Sequence, residues 1–389
     1  MRKESERKET HMKVGILTYH NTINYGATLQ TYASQRILTR LGADCEIIDY
    51  VNSHRARMYS IPKLAMSELS KGRPKTSIRM MLGWYLVGRR KKKINLFAKK
   101  KLAKSCAYRS HADILAHPPV YDRYIVGSDQ VWNYEHNGHD TTYFLDFVKD
   151  KNKTASYASS FGLASIDLDK QAIYKEALSA IKWLAVREDT GQRIVYDLIG
   201  RKARLVLDPV FLLDIEAWKE LSDKNFPCRR KYVLVYTTEK FVVKKFVETT
   251  QYDLSQYVIA KISRSTSIVD FINPSVSIKY AVTPEEFLSL IQNASLVLTS
   301  SFHCTALSII FQKQFVSFLS DDKGKNTRIE SLLDQLNLSD RIYTPDLRVG
   351  EINLPIDYIQ VNEKLDILKT NSIDYLKQVL SENSDSAEQ

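Results

Sequence analysis

The sequence predicts an α/β protein made of two Rossmann-like domains that face a cleft. Short apolar runs of strand length alternate with helical patterns along most of the chain. With 389 residues, the chain exceeds the size that one hydrophobic core usually serves. It has no internal repeat of constant period, which argues against solenoid architectures. We assign residues 12–212 to a first domain, and residues 213–383 to a second domain that includes a terminal helix.

The first fifty residues predict one β-α-β unit. Residues 13–19 form an apolar strand, residues 20–26 form a polar turn, and a helical pattern runs to Leu41. Residues 45–50 then form a second strand. Because ligands of open α/β sheets bind beyond the carboxyl ends of strands, the turn and the start of the helix are candidate ligand positions. The alternative is that the same residues only shape the turn and the helix start.

The strand pattern resumes at residues 121–126 after a basic, mostly helical stretch. That stretch, about 55–116, reads as an insertion into the first domain. The loop after the resumed strand contains Asp129, and a later strand pattern ends at Arg187. Asp129 could equally cap the turn that follows it, and Arg187 with Glu188 could form a surface ion pair.

The second domain shows the same alternation. Strand signals occur at 231–237, 256–262 and 276–280, and Thr283 with Glu286 forms a capping box at a helix start. That helix leads into residues 294–306, a buried strand followed by a small-residue turn and His303. A helix start attracts anions, so Ser300, Ser301 and Thr305 are candidate anion-binding residues with His303 as proton donor. The alternative is that His303 only caps or packs against its own helix.

The charge pattern indicates an anionic partner. The formal charge is +11, and residues 89–104 carry nine basic residues and no acidic one. Ile94, Leu96, Phe97 and Leu102 could form an apolar stripe on this basic helix, as in segments that bind anionic membrane surfaces. A solvated helix face is the competing interpretation, and we expect no nucleic acid partner.

Several protein classes are disfavoured by the remaining composition. The four cysteines are far apart, which argues against a zinc site and a disulfide framework. No apolar run reaches the roughly 18 residues of a spanning helix, and residues 1–11 lack the apolar core of a signal peptide. We expect a cytoplasmic protein, in a peripheral position at the inner face of the membrane if the basic helix binds there.

Taken in order, several motifs resemble those of the polysaccharide pyruvyl transferase family. The resemblance covers Met12 to about residue 340, and its most telling string is Gly127-Ser-Asp-Gln-Val-Trp-Asn133. The other carriers are Gly15-Ile-Leu-Thr18, Asn24-Tyr-Gly-Ala-Thr-Leu-Gln30, Tyr124-Ile-Val126, Ser156-Tyr-Ala-Ser-Ser-Phe-Gly162, Val186-Arg-Glu188, Leu207-Asp-Pro209 and Leu298-Thr-Ser-Ser-Phe-His303.

The resemblance implies a GT-B-like fold and transfer of pyruvate from phosphoenolpyruvate onto a sugar as a ketal. The acceptor would be a surface polysaccharide or its precursor, which could be linked to a lipid diphosphate. The family's arginine falls on Arg187 and its histidine on His303. This chain has Ser300 and Cys304 where family members often have Asp and Gly, a departure that bears on the donor site.

This chemistry assigns a role to each candidate residue. Arg187 would grip the donor, His303 would supply a proton and Asp129 would act as base. The expected donor-binding residues are Ser300, Ser301, Thr305, Lys325 and Arg328. The expected acceptor-binding residues are Asn24, Tyr25, Gly26, Gln30, Trp132 and Asn133. Trp132 could instead belong to the core, and Lys325 and Arg328 could be solvated charges.

We expect a reaction without metal or further cofactor. Two alternatives remain open at this point. One is a glycosyltransferase that uses a nucleotide sugar in the same cleft. The other is a non-enzymatic protein that binds anionic surfaces through residues 89–104.

Overall fold

Two parallel β-sheets form the framework of the protein. The computed structural model describes residues 11–58, 61–72, 74–224, 230–239, 242–262, 276–279, 281–321 and 323–381. One of the four cysteines, Cys228, and the last residue of the predicted strand 276–280 lie outside these ranges.

The first sheet has the strand order β3-β2-β1-β4-β5, with all neighbours parallel. Its strands are β1 (Lys13–Leu17), β2 (Asp44–Tyr50), β3 (Lys104–Tyr108), β4 (Arg123–Val126) and β5 (Thr154–Ser156). Single bridges, Ala155 with Trp183 and Ser159 with Val186, connect β5 to β6 (Ala185–Val186), which pairs with β7 (Arg204–Leu205). Apolar side chains cover both faces of this sheet, as parallel sheets require.

The second sheet repeats this order as β10-β9-β8-β11-β12, again with parallel neighbours. Its strands are β8 (Tyr232–Tyr236), β9 (Val258–Ile262), β10 (Val276–Lys279), β11 (Leu296–Thr299) and β12 (Phe315–Ser317). The two Rossmann-like domains that the sequence predicts are therefore confirmed.

Helices cover the faces of both sheets. Those of the first half are Tyr25–Arg40, Ser53–Met58, Ile61–Ser70, Pro74–Lys101, His111–Ala116, Tyr134–Asn137, Leu168–Ser179 and Asp189–Ile199. Those of the second half are Ile215–Leu221, Val242–Thr250, Pro284–Gln292, Phe302–Ile310, Lys323–Gln335, Val349–Asn353 and Tyr358–Ser381. The predicted capping box is present at Thr283 and Glu286.

The predicted insertion at residues 55–116 needs a correction. Residues 104–108 form β3, which pairs with β2 as the edge strand of the first sheet. The preceding helices are an enlarged crossover from β2 to β3, and the long helix Pro74–Lys101 packs Ile94 and Phe97 into the core. The basic composition hid the strand, because β3 has a largely exposed pattern with few apolar residues.

The terminal helix Tyr358–Ser381 returns to the first domain, although we predicted it within the second. Tyr375, Leu376 and Val379 belong to the apolar cluster around β1. The Tyr375 hydroxyl donates to the Ser156 carbonyl at 2.7 Å, and Arg123 Nε donates to the Val379 carbonyl at 2.8 Å. The helix therefore ties the two domains together.

A second set of contacts joins the two domains at Tyr25. Tyr25, at the start of the helix Tyr25–Arg40, stacks on Phe287 of the second domain with ring centroids 4.9 Å apart. Its hydroxyl accepts a hydrogen bond from the Val282 amide at 3.2 Å. The two domains are thus in contact at the start of the helix that follows β1.

Candidate active site

Six charged or titratable side chains meet where the carboxyl ends of several strands face the second domain. We call them the charged cluster, and they are Asp129, Arg187, Glu188, Asp208, His303 and Arg328. Asp129 follows β4, Arg187 follows β6 and Asp208 follows β7. His303 lies in the first turn of the helix Phe302–Ile310, and Arg328 lies on the helix Lys323–Gln335. Both domains therefore contribute to one site.

Arg187 is the centre of the charged cluster, and its side chain is 1% exposed. Its Nη1 donates to Asp208 Oδ2 at 2.6 Å and to Ser128 Oγ at 3.1 Å. Its Nη2 donates to Asp129 Oδ1 at 3.3 Å. Burial lowers the pKa of Arg187, but the carboxylates of Asp208 and Asp129 outweigh this effect and raise it. The alternative of a surface ion pair with Glu188 is wrong, because both side chains are buried.

Asp208 links two of the three predicted catalytic residues, Arg187 and His303. Its Oδ2 lies 2.6 Å from Arg187 Nη1 and 3.5 Å from His303 Nε2. Burial favours the neutral acid, but the charges of His303 and Arg187 hold the pKa of Asp208 far below its usual range. We did not assign Asp208 a role from the sequence. An acidic residue directly before proline at a strand end was the available signal.

His303 is 4% exposed, and the structure places it beside the first domain. A Cβ built on Gly26 would lie 2.5 Å from the Cβ, Cγ and Nδ1 atoms of His303. Only glycine permits this approach, so the start of the helix Tyr25–Arg40 fits directly over the histidine. The sequence-based alternative, in which His303 contacts only its own helix, is wrong.

Asp129 has a left-handed backbone conformation with φ of +79°. Such a conformation is uncommon outside glycine and costs free energy, so its occurrence in this cluster is consistent with a functional constraint. Its carbonyl accepts from the Ser160 amide at 2.9 Å, and its Oδ1 accepts from the Gln130 amide at 2.8 Å. Burial raises the pKa of Asp129, but Arg187 and His303 outweigh it, so the pKa is lowered.

Glu188 and Arg328 complete the charged cluster. Glu188 Oε1 accepts from the Phe161 amide at 3.2 Å, and burial raises the pKa of Glu188 above its usual value. Arg328 directs both terminal nitrogens to the amide oxygen of Gln130, at 2.5 and 2.8 Å in the amide orientation that satisfies both side chains. Burial, followed by the nearby charge of Arg187, lowers the pKa of Arg328. Arg328 is therefore not a solvated surface charge.

The other predicted donor residues have different surroundings. Ser300 and Ser301 are partly exposed at the start of the helix Phe302–Ile310, where Ser300 Oγ contacts Thr237 Oγ1 at 2.9 Å. Thr305 is fully buried and bonds to Ser317 at 2.8 Å, so it has a structural role instead of the predicted ligand contact. The side chain of Lys325 lies outside the described residues.

The predicted acceptor residues are mostly structural. Tyr25 and Trp132 are fully buried in the core, which corrects their assignment to a sugar site. Gln30 Nε2 is buried and donates to Thr18 Oγ1 at 2.8 Å. Asn24 and Asn133 cap helices by accepting from the amides of Gly26 and Glu135, respectively. Gly26 lies against His303 of the charged cluster, as described above.

Cys304 departs from the family motif, but its side chain lies in the core and is fully shielded from solvent. Burial raises the pKa of the thiol to about 12. The departure therefore changes packing behind the helix start and not the face that presents His303.

Two Rossmann-like domains with a charged site between them define a GT-B-fold protein. A family model for polysaccharide pyruvyl transferases matches residues 24–322. The chain belongs to the polysaccharide pyruvyl transferase family. A comparison with curated proteins gave no match.

A solved structure supports the fold assignment. The UDP-GlcNAc 2-epimerase from Neisseria meningitidis bound to UDP-GlcNAc matches with a TM-score of 0.53 and 9% identity, over 95% of this chain and 100% of that chain. At this identity, the likeness shows the fold alone. A putative UDP-N-acetylglucosamine 2-epimerase from Listeria monocytogenes matches with a TM-score of 0.49 and 10% identity, over 95% of this chain and 91% of that chain.

None of the helices in the described ranges has the length and apolar character needed to cross a bilayer.

Proposed function

We propose that this protein transfers the pyruvyl group of phosphoenolpyruvate to two hydroxyls of a saccharide, forming a ketal. The observation that carries the proposal is the shared contact of Arg187 and His303 with Asp208 Oδ2, at 2.6 and 3.5 Å. A cation from one domain and a proton carrier from the other thereby meet in one small volume. Phosphoenolpyruvate, a compact anion that needs both, fits such a site.

The reaction begins with protonation of the methylene carbon of phosphoenolpyruvate by His303. The adjacent carbon becomes an oxocarbenium-like centre, and one acceptor hydroxyl attacks it. A second hydroxyl then displaces phosphate and closes the ketal. Each hydroxyl loses its proton as its new bond forms, which requires a base close to the reacting carbon.

Asp129 is the base in this proposal. Its lowered pKa keeps it ionised at neutral pH. A weak base suffices here, because a hydroxyl that attacks an oxocarbenium-like centre becomes strongly acidic as the bond forms. The contact between Asp129 and Arg187 is 3.3 Å, longer than the 2.6 Å contact to Asp208. We therefore expect the donor to replace Asp129 as the acceptor of the hydrogen bond from Arg187 Nη2. The Asp129 carboxylate is then free for proton transfer.

Electrostatics require further groups around the donor. The charged cluster holds three carboxylates against two arginines and His303, so an added anion leaves the site negative unless other groups compensate. The hydroxyl groups of Ser300 and Ser301, just before the helix Phe302–Ile310, and the charge of Lys325 are the groups we assign to the donor phosphate. Burial raises the pKa of Glu188, which weakens the preference of this carboxyl for its charged form.

Substrate entry requires the domains to separate. The side chains of Arg187, Asp208 and His303 are 1%, 0% and 5% exposed. The contact of Gly26 with His303 closes the same region from the first domain. Opening and reclosing around the substrates would exclude water from the oxocarbenium-like centre, which water would otherwise capture.

The test is phosphate release from phosphoenolpyruvate with a panel of free and lipid-linked saccharides. We expect release that depends on an acceptor, together with an acceptor product that carries a pyruvate ketal by mass spectrometry. Acceptor-independent release, or no release with any acceptor, would count against the proposal. Stabilisation of the protein by a nucleotide sugar but not by phosphoenolpyruvate would favour a glycosyltransferase instead.

A further inference from the structure

The long crossover helix Pro74–Lys101 carries an unusual charge distribution. It contains ten lysine and arginine residues and no acidic residue. The like-charged side chains of such a helix repel one another. The helix is therefore stable only when these charges are solvated or neutralised by a partner. The faces of this helix therefore show what it can bind.

One face is committed to the protein. Ile94 and Phe97 are 0% and 2% exposed and pack in the main core. The guanidinium carbon of Arg90 lies 5.5 Å from the centroid of the Tyr25 ring, and Lys93 Nζ lies 3.2 Å from Glu286 Oε2 in the second domain. Of the predicted apolar stripe, Ile94, Phe97 and Leu102 are therefore buried and cannot enter a membrane, and Leu96 alone is exposed.

The opposite face is exposed and mixes apolar and basic side chains. Tyr85, Arg89, Lys92, Leu96 and Lys99 follow one another at steps of four, three, four and three residues, which places them on one side of a helix. Tyr85 is 64% exposed and Leu96 is 53% exposed, and the three basic residues are exposed as well. We call these five residues the outer basic face.

The neighbouring helix Ile61–Ser70 also exposes large apolar side chains. It packs against the long helix and exposes Met66 and Leu69, at 71% and 56%. Its Glu68 is paired with Lys71 at 3.0 Å, so it does not offset the positive charge of the outer basic face. Apolar side chains and cations thus occur together on the two helices.

We propose that the outer basic face docks on an anionic lipid bilayer. Cations near a bilayer that contains acidic lipids are attracted to its surface potential, and large apolar side chains between them enter the boundary between headgroups and acyl chains. Nucleic acid would satisfy the cations equally well. It offers no apolar layer for Leu96, Met66 and Leu69, so the bilayer accounts for more of the exposed side chains.

The placement of this helix is suited to an acceptor that reaches the enzyme from a membrane. The inner face of the helix contacts Tyr25, and Tyr25 begins the helix whose Gly26 covers His303. The outer basic face and the charged cluster are therefore separated by little more than one layer of helices. Docking itself needs no substrate, so it can be tested apart from the proposed transfer reaction.

The test is flotation of the full-length protein with vesicles of phosphatidylcholine alone or mixed with phosphatidylglycerol. We expect binding to the anionic vesicles to exceed binding to the neutral ones at least about tenfold and to fall steeply as salt rises. Equal binding to both vesicle types, or no binding to either, would overturn the proposal. So would displacement of the protein from anionic vesicles by an equal charge of single-stranded DNA at physiological salt.

Two variants and one control locate the surface. Arg89→Glu with Lys92→Glu should reduce binding to the anionic vesicles at least about tenfold. Tyr85→Ser with Leu96→Ser should weaken binding that persists at high salt, because it removes the apolar contribution. Lys149→Glu with Lys202→Glu changes two exposed lysines elsewhere by the same charge and should have an effect of about twofold or less. An equal loss in the control would show that only net charge matters, which contradicts the proposal.

Discussion

The charged cluster and the outer basic face are both rich in arginine or lysine, yet their surroundings make them different. In the cluster, Arg187 is 1% exposed and contacts two carboxylates. On the outer face, Arg89 and Lys92 are exposed on a helix without acidic residues. Buried, paired charge orients atoms for chemistry, whereas exposed, unbalanced charge attracts surfaces. The two regions should therefore respond to mutation in separate assays.

The largest effect is expected at His303. His303→Gln should lower turnover about 10²- to 10⁴-fold, because glutamine cannot supply a proton to phosphoenolpyruvate. Vesicle binding should stay unchanged, since the outer basic face does not contact this residue. The measurement is steady-state phosphate release beside vesicle flotation. A variant that retains most of its turnover would remove His303 from the proton-transfer role.

A smaller loss is expected when Arg187 becomes lysine. Arg187→Lys keeps the positive charge, but the single nitrogen of lysine cannot replace the separate guanidinium nitrogens that contact Asp208, Ser128 and the donor substrate. We therefore expect kcat/KM for phosphoenolpyruvate to fall about 10- to 100-fold. Arg36→Lys, on an exposed site of the helix Tyr25–Arg40, is the matched control and should leave kcat/KM unchanged. Equal kinetics in both variants would show that Arg187 contributes charge alone.

The fit of Gly26 over His303 can be tested next. Gly26→Ala places a methyl group 2.5 Å from the imidazole, so His303 or the helix must move and turnover should fall about tenfold. Gly88→Ala is the control, since a Cβ there meets no atom within 4 Å. Because glycine within a helix is less favourable than alanine, Gly88→Ala should raise the free energy of unfolding by about 0.5–1 kcal/mol. Normal turnover in Gly26→Ala would mean that the observed approach is not needed for catalysis.

The smallest effect is a pH dependence of stability. The pKa of Asp208 is lowered in the folded protein, so its ionised form stabilises the fold above the unfolded pKa of about 3.9, and this contribution is lost as pH falls. Asp208→Asn should therefore melt at a lower temperature than the wild type at pH 7. The difference should shrink between about pH 5 and pH 3. A constant difference across this range would show that ionisation of Asp208 is not the cause.

The sequence predicted the two sheets, because alternating strand and helix patterns are local properties of the chain. It missed β3, whose edge position leaves it few apolar residues, and it did not indicate that the terminal helix, which we placed in the second domain, also packs against the first. Packing partners so distant in sequence leave no local signal. The motifs indicated Arg187, His303 and Asp129 but gave no role to Asp208, whose contacts arise only when β7 lies beside β6 and the second domain closes on them.

Burial explains the remaining differences. Trp132 and Tyr25 have residue types suited to stacking on sugars, but which side of an aromatic ring faces solvent depends on the tertiary fold. In the same way, the basic run at residues 89–104 predicted an apolar stripe whose members, Leu96 apart, turned out to face the core.

The most direct test of the account is a double-mutant cycle on Arg187 and His303, measured as kcat/KM for phosphoenolpyruvate with one saccharide acceptor. In the proposed mechanism both residues act on one transition state and both contact Asp208, so Arg187→Lys combined with His303→Gln should be scarcely worse than His303→Gln alone. Losses that multiply, as for distant and independent sites, would contradict a single site shared by the two domains.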